Sequence, residues 1–155
     1  MEIAKIPADI LKKKIALVPL EDILSGKHAA LFEQMHADMI ANHGVGLAAN
    51  QVGLDFAIFV IDKKLAHDEE VPDTYINPEI TEYSDEEDEM EEGCLSIPQF
   101  YVPIRRAKKI WIKFTDTSGK KHKMKAKGFL ARVLQHETDH LNGTVIKNRF
   151  DQQSK

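Results

Sequence analysis

Apolar positions along this chain fall into two periods. Leu31, Met35 and Met39 recur every four residues, the spacing of a helix that turns one face inward. It predicts a helix over 28–42 with both methionines in the core. Phe56-Ala57-Ile58-Phe59-Val60-Ile61 is apolar throughout, as a buried strand is. Ile110, Ile112 and Phe114 alternate with polar residues over 109–115, and a second strand is read over 121–127. Ser118-Gly119 supplies turn chemistry between them, so the two are expected to pair as a hairpin. A late helix follows Gly128 and stops at Asn142-Gly143. Phe129, Val133, His136, Glu137 and His140 share one side of its wheel, and Leu130, Leu134 and Leu141 extend that side. Arg132, Gln135, Thr138 and Asp139 fall opposite or at the border, where a solvated face is expected. Residues 8–15 read as a short basic helix or a solvated turn. Strands gathered around one late helix predict an α+β fold: a single compact domain over 1–155, its strands antiparallel or mixed.

Composition narrows the class. The chain has 155 residues, 43% of them hydrophobic, enough for one well-cored domain and too few for two. A net charge of −4 does not indicate a general nucleic-acid surface. No apolar run approaches membrane-spanning length, and the first residues lack the apolar core of a signal peptide. The single cysteine, Cys94, excludes an internal disulfide and suits a reducing compartment, so a cytoplasmic location is expected. The acidic run from Asp85 to Glu92 reads as a solvated, mobile loop, because a block of like charge repels itself.

The late helix carries His136-Glu137-Thr138-Asp139-His140. Positions i and i+4 lie one turn apart on one face, so two imidazoles can share a divalent ion while the adjacent carboxylate handles a proton on water. The histidines sit within the apolar stripe, where a buried carboxylate between them needs a partner. A catalytic metal site needs a third protein ligand and an open position. Cys94, in Glu92-Gly93-Cys94-Leu95-Ser96-Ile97-Pro98, is a small buried hydrophobe or that ligand, and a thiolate suits Zn²⁺ or Fe²⁺. Gly44-Val45-Gly46-Leu47-Ala48-Ala49-Asn50-Gln51-Val52-Gly53 is not read as a dinucleotide loop, since a helix and not a strand precedes it. Gln51 stands out in that run as an amide among small and apolar residues, a donor suited to a developing oxyanion.

The three segments GVGLAANQVG, EGCLSIP and QHETDHLNG, in this order and at these separations, resemble the peptide deformylases. The resemblance runs from about residue 7 to about residue 148. It implies that Cys94, His136 and His140 hold one divalent ion, with Fe²⁺ favoured and Zn²⁺, Ni²⁺ or Co²⁺ accepted. It implies Glu137 as general base, with the Gln51 side-chain amide and the Leu95 backbone N–H holding the oxyanion. Gly46 and its neighbours would hydrogen-bond the substrate as an added strand. Val45, Phe129 and Val133 match positions in or beside an apolar methionine pocket, and Leu130 is read equally as pocket or as core. Glu92 would pair with Arg106 and fix the cysteine-bearing loop. The implied reaction removes the formyl group from N-formylmethionine at the start of nascent polypeptides, releasing formate.

Two further expectations concern partners. The chain reads as short and polar after Asn148, without the longer C-terminal helix common in the family. The resemblance therefore implies a ribosome encounter without stable docking, and a monomer. Two other classes fit parts of the pattern. One is a different HExxH-type metallopeptidase, against which the cysteine and the motif order argue. The other is a closed structural metal site, which requires a fourth protein ligand from His43, His122 or Asp139.

Overall fold

A computed structural model describes residues 1–154. The chain opens with a single 3-10 turn at Asp9–Lys12 and continues into α1 (Leu20–Leu24), α2 (Ala29–Ala41), β1 (Gly46–Ala48) and a second 3-10 turn at Ala49–Val52. There follow β2 (Ile58–Ile61), α3 (Lys63–Asp68), β3 (Thr74–Tyr83), β4 (Glu87–Cys94) and β5 (Ile97–Ala107). The hairpin β6 (Lys109–Thr115) and β7 (Lys121–Lys127) leads into α4 (Gly128–Leu141) and α5 (Ile146–Gln153).

The strands form a five-stranded sheet in the order β1-β2-β3-β6-β7 and a separate β4–β5 ribbon. Every pairing is antiparallel. The core forms where α4 packs on the large sheet: Leu130, Ala131, Val133 and Leu134 join Phe59, Ile61, Tyr75, Ile110, Ile112 and Phe114 in one buried cluster. Met35 and Met39 are wholly buried in a second cluster with Leu47, Ile58 and Ile76. The helix over α2, the strand at Ile58–Ile61 and the β6–β7 hairpin follow the apolar periods of the sequence. The fold is α+β, as those periods predict.

One alternative is decided and two expectations are corrected. The basic segment at 8–15 takes the turn reading and not the helix, with one 3-10 turn at Asp9–Lys12. The Ile15 N–H donates to Leu141 O at 2.8 Å, so the end of the segment bonds to the end of α4 instead of continuing the turn. The acidic run is not a loop. It forms β4, with Asp88 opposite Arg106 and Glu89 opposite Arg105 in the register with β5, and with Glu92 paired to Arg106 and Asp88 to Arg132. Opposite charges across an antiparallel pair stabilise what like charges alone would disperse.

The polar side of α4 is not solvated either. Arg132, Gln135, Thr138 and Asp139 are all buried. The β4–β5 ribbon covers that side and receives its polar groups, with Gln135 donating to Ala107 O at 2.9 Å and Arg132 to Ile104 O at 2.9 Å. The chain after Asn148 is polar as read, but it belongs to a helix. Ile146 and Phe150 in α5, four residues apart, pack against Ile97, Val102 and Ile104 of β5. No helix among the described residues is long and apolar enough to cross a membrane.

Leu134 is fully buried between α4 and the large sheet. Leu134→Ala is expected to lower the unfolding free energy by about 2–5 kcal/mol, read from urea denaturation. A change below about 1 kcal/mol would show that this contact is not central to the core.

Candidate metal and active site

Two chain segments separated by more than forty residues converge on one point. α4 presents His136 and His140 one turn apart, and the β4–β5 turn brings Cys94 to them. Cys94 Sγ lies 3.3 Å from His140 Nε2, and His140 Nε2 lies 3.3 Å from His136 Nε2. All three donor atoms lie within 4.8 Å of one another, and no other such group occurs among the described residues. Two imidazole nitrogens and a sulfur aimed at a common centre suit a first-row divalent cation.

The spare candidates for a fourth ligand are engaged elsewhere or held apart. Asp139 accepts from Arg106 at 2.9 Å and from Arg149 at 2.7 Å, while His122 pairs with Asp116 at 2.6 Å. His43 is exposed on the wall of the cleft and does not join the cluster. A closed four-ligand site is therefore not what these residues form.

Electrostatics prepare the donors. Burial alone would push the Cys94 thiol up, but His140 and His136 beside it hold it well below the ordinary thiol range. Burial would lower His136, yet its contacts with Cys94 and Glu92 hold it well above the usual histidine value. A cation at Nε2 would release that proton. His136 Nδ1 meets Glu92 Oε1 at 2.8 Å, which turns Nε2 toward the cluster.

Glu92 anchors this arrangement. It is buried, and it also accepts from Arg106 Nε at 2.7 Å, from Arg106 Nη2 at 2.9 Å and from Arg132 Nη1. Burial opposes ionisation there, but His136 and Arg106 keep the carboxyl well below its ordinary value. Arg106 reaches on to Asp139, which ties the ribbon to α4 at two points.

Glu137 faces the cleft from α4 and is almost completely buried, with Oε1 unpartnered. Burial pushes its pKa up against the lowering influence of His136 and His140. Gly46 lies against it: a Cβ at Gly46 would come within 2.6 Å of Glu137 Oε2. Gln51 comes from the 3-10 turn after β1. Its Oε1 accepts from Ala48 N at 3.0 Å, while Nε2 donates to Ser96 Oγ at 3.1 Å and points toward Cys94 Sγ at 3.6 Å.

A cleft of about 670 Å³ opens above these groups, lined by Val45, Gly46, Gln51, Cys94, Leu95, Phe129, Val133, His136 and Glu137 among others. The sequence-named residues thus come together, His140 lying at the buried base of the cluster. Leu130 does not line the cleft and belongs to the core.

Several contributors were not legible in the sequence. Asn50 donates to His140 O at 2.7 Å and pins the 3-10 turn to α4. It carries the signal that singled out Gln51, an amide in a run of small residues. Ser96 and Arg132 carry no such signal. Gly93 is approached by the Tyr101 ring, which leaves no room for a Cβ. Tyr101 and Met90, 65% and 47% exposed, join Val45 and Phe129 as an apolar rim around the cleft.

An antiparallel α+β fold with a Cys-His-His cluster, a buried carboxylate and an apolar cleft defines the class of a metal-dependent hydrolase. The comparisons narrow it. The family model for polypeptide deformylase matches residues 1–155, and the chain belongs to that family. It is 45% identical over 154 residues to a peptide deformylase of Dictyoglomus turgidum, covering 99% of this chain and 95% of that one. Its structure resembles the crystal structure of the Thermotoga maritima peptide deformylase with a TM-score of 0.85, at 37% identity and 96% coverage of each chain. The Met-Ala-Ser-bound class I type b peptide deformylase of Acinetobacter baumannii superposes with a TM-score of 0.86, at 34% identity, covering 96% of this chain and 97% of that one.

Removing the shared cation should expose the cost of the buried carboxylates. Arg106→Met is expected to destabilise the protein by about 3–5 kcal/mol in denaturant unfolding, because Glu92 loses two donors and Asp139 one in a buried setting. A loss under about 1 kcal/mol would mean that the network is not what joins ribbon to helix.

Proposed function

We propose that this chain hydrolyses the formamide of N-formylmethionyl peptides at the start of nascent polypeptides, releasing formate. The observation that carries the reading is the convergence of Cys94, His136, His140, Glu137 and Gln51 in one cleft. The Met-Ala-Ser occupant of the Acinetobacter baumannii relative supports an N-terminal methionyl peptide as ligand.

Cys94, His136 and His140 would hold one divalent ion, with Fe²⁺ the favoured identity and Zn²⁺, Ni²⁺ or Co²⁺ alternatives. When bound, the ion supplies Lewis acidity toward water and toward the formyl oxygen. Glu137 takes a proton from the attacking water at its free Oε1 and gives it to the departing amine. The raised pKa of the buried carboxyl suits a group that must both accept and release. Gln51 Nε2, oriented through Oε1 by Ala48 N–H, donates to the formyl oxygen as its charge grows. The Leu95 N–H is the second donor proposed there.

β1 is an edge strand with a partner only on its β2 side. A peptide laid along that edge from Gly46 would extend the sheet by one strand. Val45, Phe129 and Val133 line the cleft as the apolar wall for the methionine side chain. The family match over residues 1–155 and the Cys94 donor beside the two histidines favour this reading over the action of other HExxH peptidases. The reading also carries a monomer acting in the cytoplasm and an encounter with the ribosome.

The direct test is formate release by anaerobically purified protein from a formyl-Met peptide, with the acetyl-Met peptide as comparison. Release from the formyl peptide alone is expected, and equal cleavage of both would contradict the reading.

Glu137→Gln is nearly isosteric but cannot accept the proton. It is expected to keep its metal and lose turnover by about 10²–10⁴-fold. Gln51→Ala is expected to lower kcat by about 10²–10³-fold while KM changes much less, because the donated bond strengthens mainly in the transition state. An unchanged kcat in steady-state assays of either variant would remove that residue from the mechanism.

A further inference from the structure

The net charge of −4 conceals a strongly basic face. In the β6–β7 hairpin, Lys109 lies opposite Lys127, Lys113 opposite Lys123, Trp111 opposite Lys125 and Thr115 opposite Lys121. Directly opposed residues of an antiparallel pair project to the same side, and alternate residues of a strand share a face. Six lysines and one indole therefore occupy one surface, and all six lysines are exposed. The other side of the hairpin, with Ile110, Ile112, Phe114 and Ala126, packs into the core with α4. The lysine face is thus turned away from α4, and none of its lysines lines the catalytic cleft.

Like charges placed directly opposite destabilise a sheet, and this hairpin carries two such pairs. Internal ion pairs do not relieve them: among the described residues the lysines in salt bridges are Lys13, Lys27, Lys64, Lys108 and Lys147. The adjoining strand β3 sets only Glu79 opposite Lys113 and Glu82 opposite Trp111. Lys123 Nζ stands 5.6 Å from the Trp111 ring centre. Along β7 the lysines recur at roughly 6.5–7 Å, two residues of extended chain. The result is a sheet face with six ammonium groups and two carboxylates around one aromatic ring.

We infer that this face docks on RNA, the lysines meeting phosphates and Trp111 stacking on an exposed base. The choice of RNA over other polyanions rests on the functional reading above, because a substrate that is still a nascent chain emerges beside ribosomal RNA. The chain-wide charge does not argue against it, because electrostatic docking depends on the local face.

The hairpin carries its own reporter, since Trp111 is the single tryptophan of the chain. Titration of the intact protein with a short RNA hairpin, followed by tryptophan fluorescence and by anisotropy of labelled RNA, should show binding that weakens steeply as salt rises. The variant Lys113→Gln/Lys123→Gln/Lys125→Gln removes repulsion as well as charge, so it should fold at least as well. It is expected to bind at least tenfold more weakly, with a shallower salt dependence, while turnover of a formyl-Met peptide stays unchanged. Equal RNA binding by the variant, absence of wild-type binding at about 0.1 M salt, or binding to anionic phosphatidylserine vesicles in place of RNA would overturn the inference. RNA binding by a protein that releases no formate would leave this face standing and remove the catalytic reading instead.

Discussion

Glu92 is a carboxylate taken out of water at the meeting point of the β4–β5 ribbon and α4. An isolated buried charge is prohibitively costly, so the site exists only because Arg106, Arg132 and His136 answer it together. Each partner belongs to a different part of the architecture. Arg106 lies across the ribbon, Arg132 comes from the second turn of α4, and His136 is one of the candidate metal ligands. The pair that stabilises the ribbon is therefore also the pair that orients the imidazole. Loosening it would move Cys94 relative to His136 and His140, because Cys94 is two residues from Glu92 on the same strand.

That constraint explains the burial of α4 on nearly every side. Its apolar residues meet the five-stranded sheet, while Arg132, Gln135 and Asp139 meet the ribbon through hydrogen bonds. A helix held on two sides is a rigid platform for the reacting groups, and rigidity lets preformed donors act without reorganising. The close approach of Gly46 to Glu137 places the edge of β1 directly beside that buried carboxylate. Substrate docked on that edge would meet the base without a large movement.

What the sequence revealed and what it did not differ in kind. Local periods located α2, β2, the β6–β7 hairpin and α4, because apolar spacing is set by the element itself. Motif resemblance assembled Gln51, Cys94, His136, Glu137 and His140, whose separations no local rule connects. What escaped was pairing. The acidic run could not be recognised as a strand without knowing that Arg105 and Arg106 would lie across from it. The polar side of α4 read as solvated because its partners, Glu92, Asp88 and the carbonyl of Ala107, lie 28 or more residues away. Ile15 donates to Leu141 across most of the chain, a bond that a helical reading of its segment misses.

The proposed chemistry needs the Cys94 sulfur and two imidazoles to share one ion. X-ray absorption at the metal edge of anaerobically purified protein measures that donor set directly. One sulfur and two imidazole nitrogens per metal are expected, at about 2.3 Å and 2.0–2.1 Å if the ion is zinc. A metal shell without sulfur would contradict the central claim, whatever the activity of the preparation.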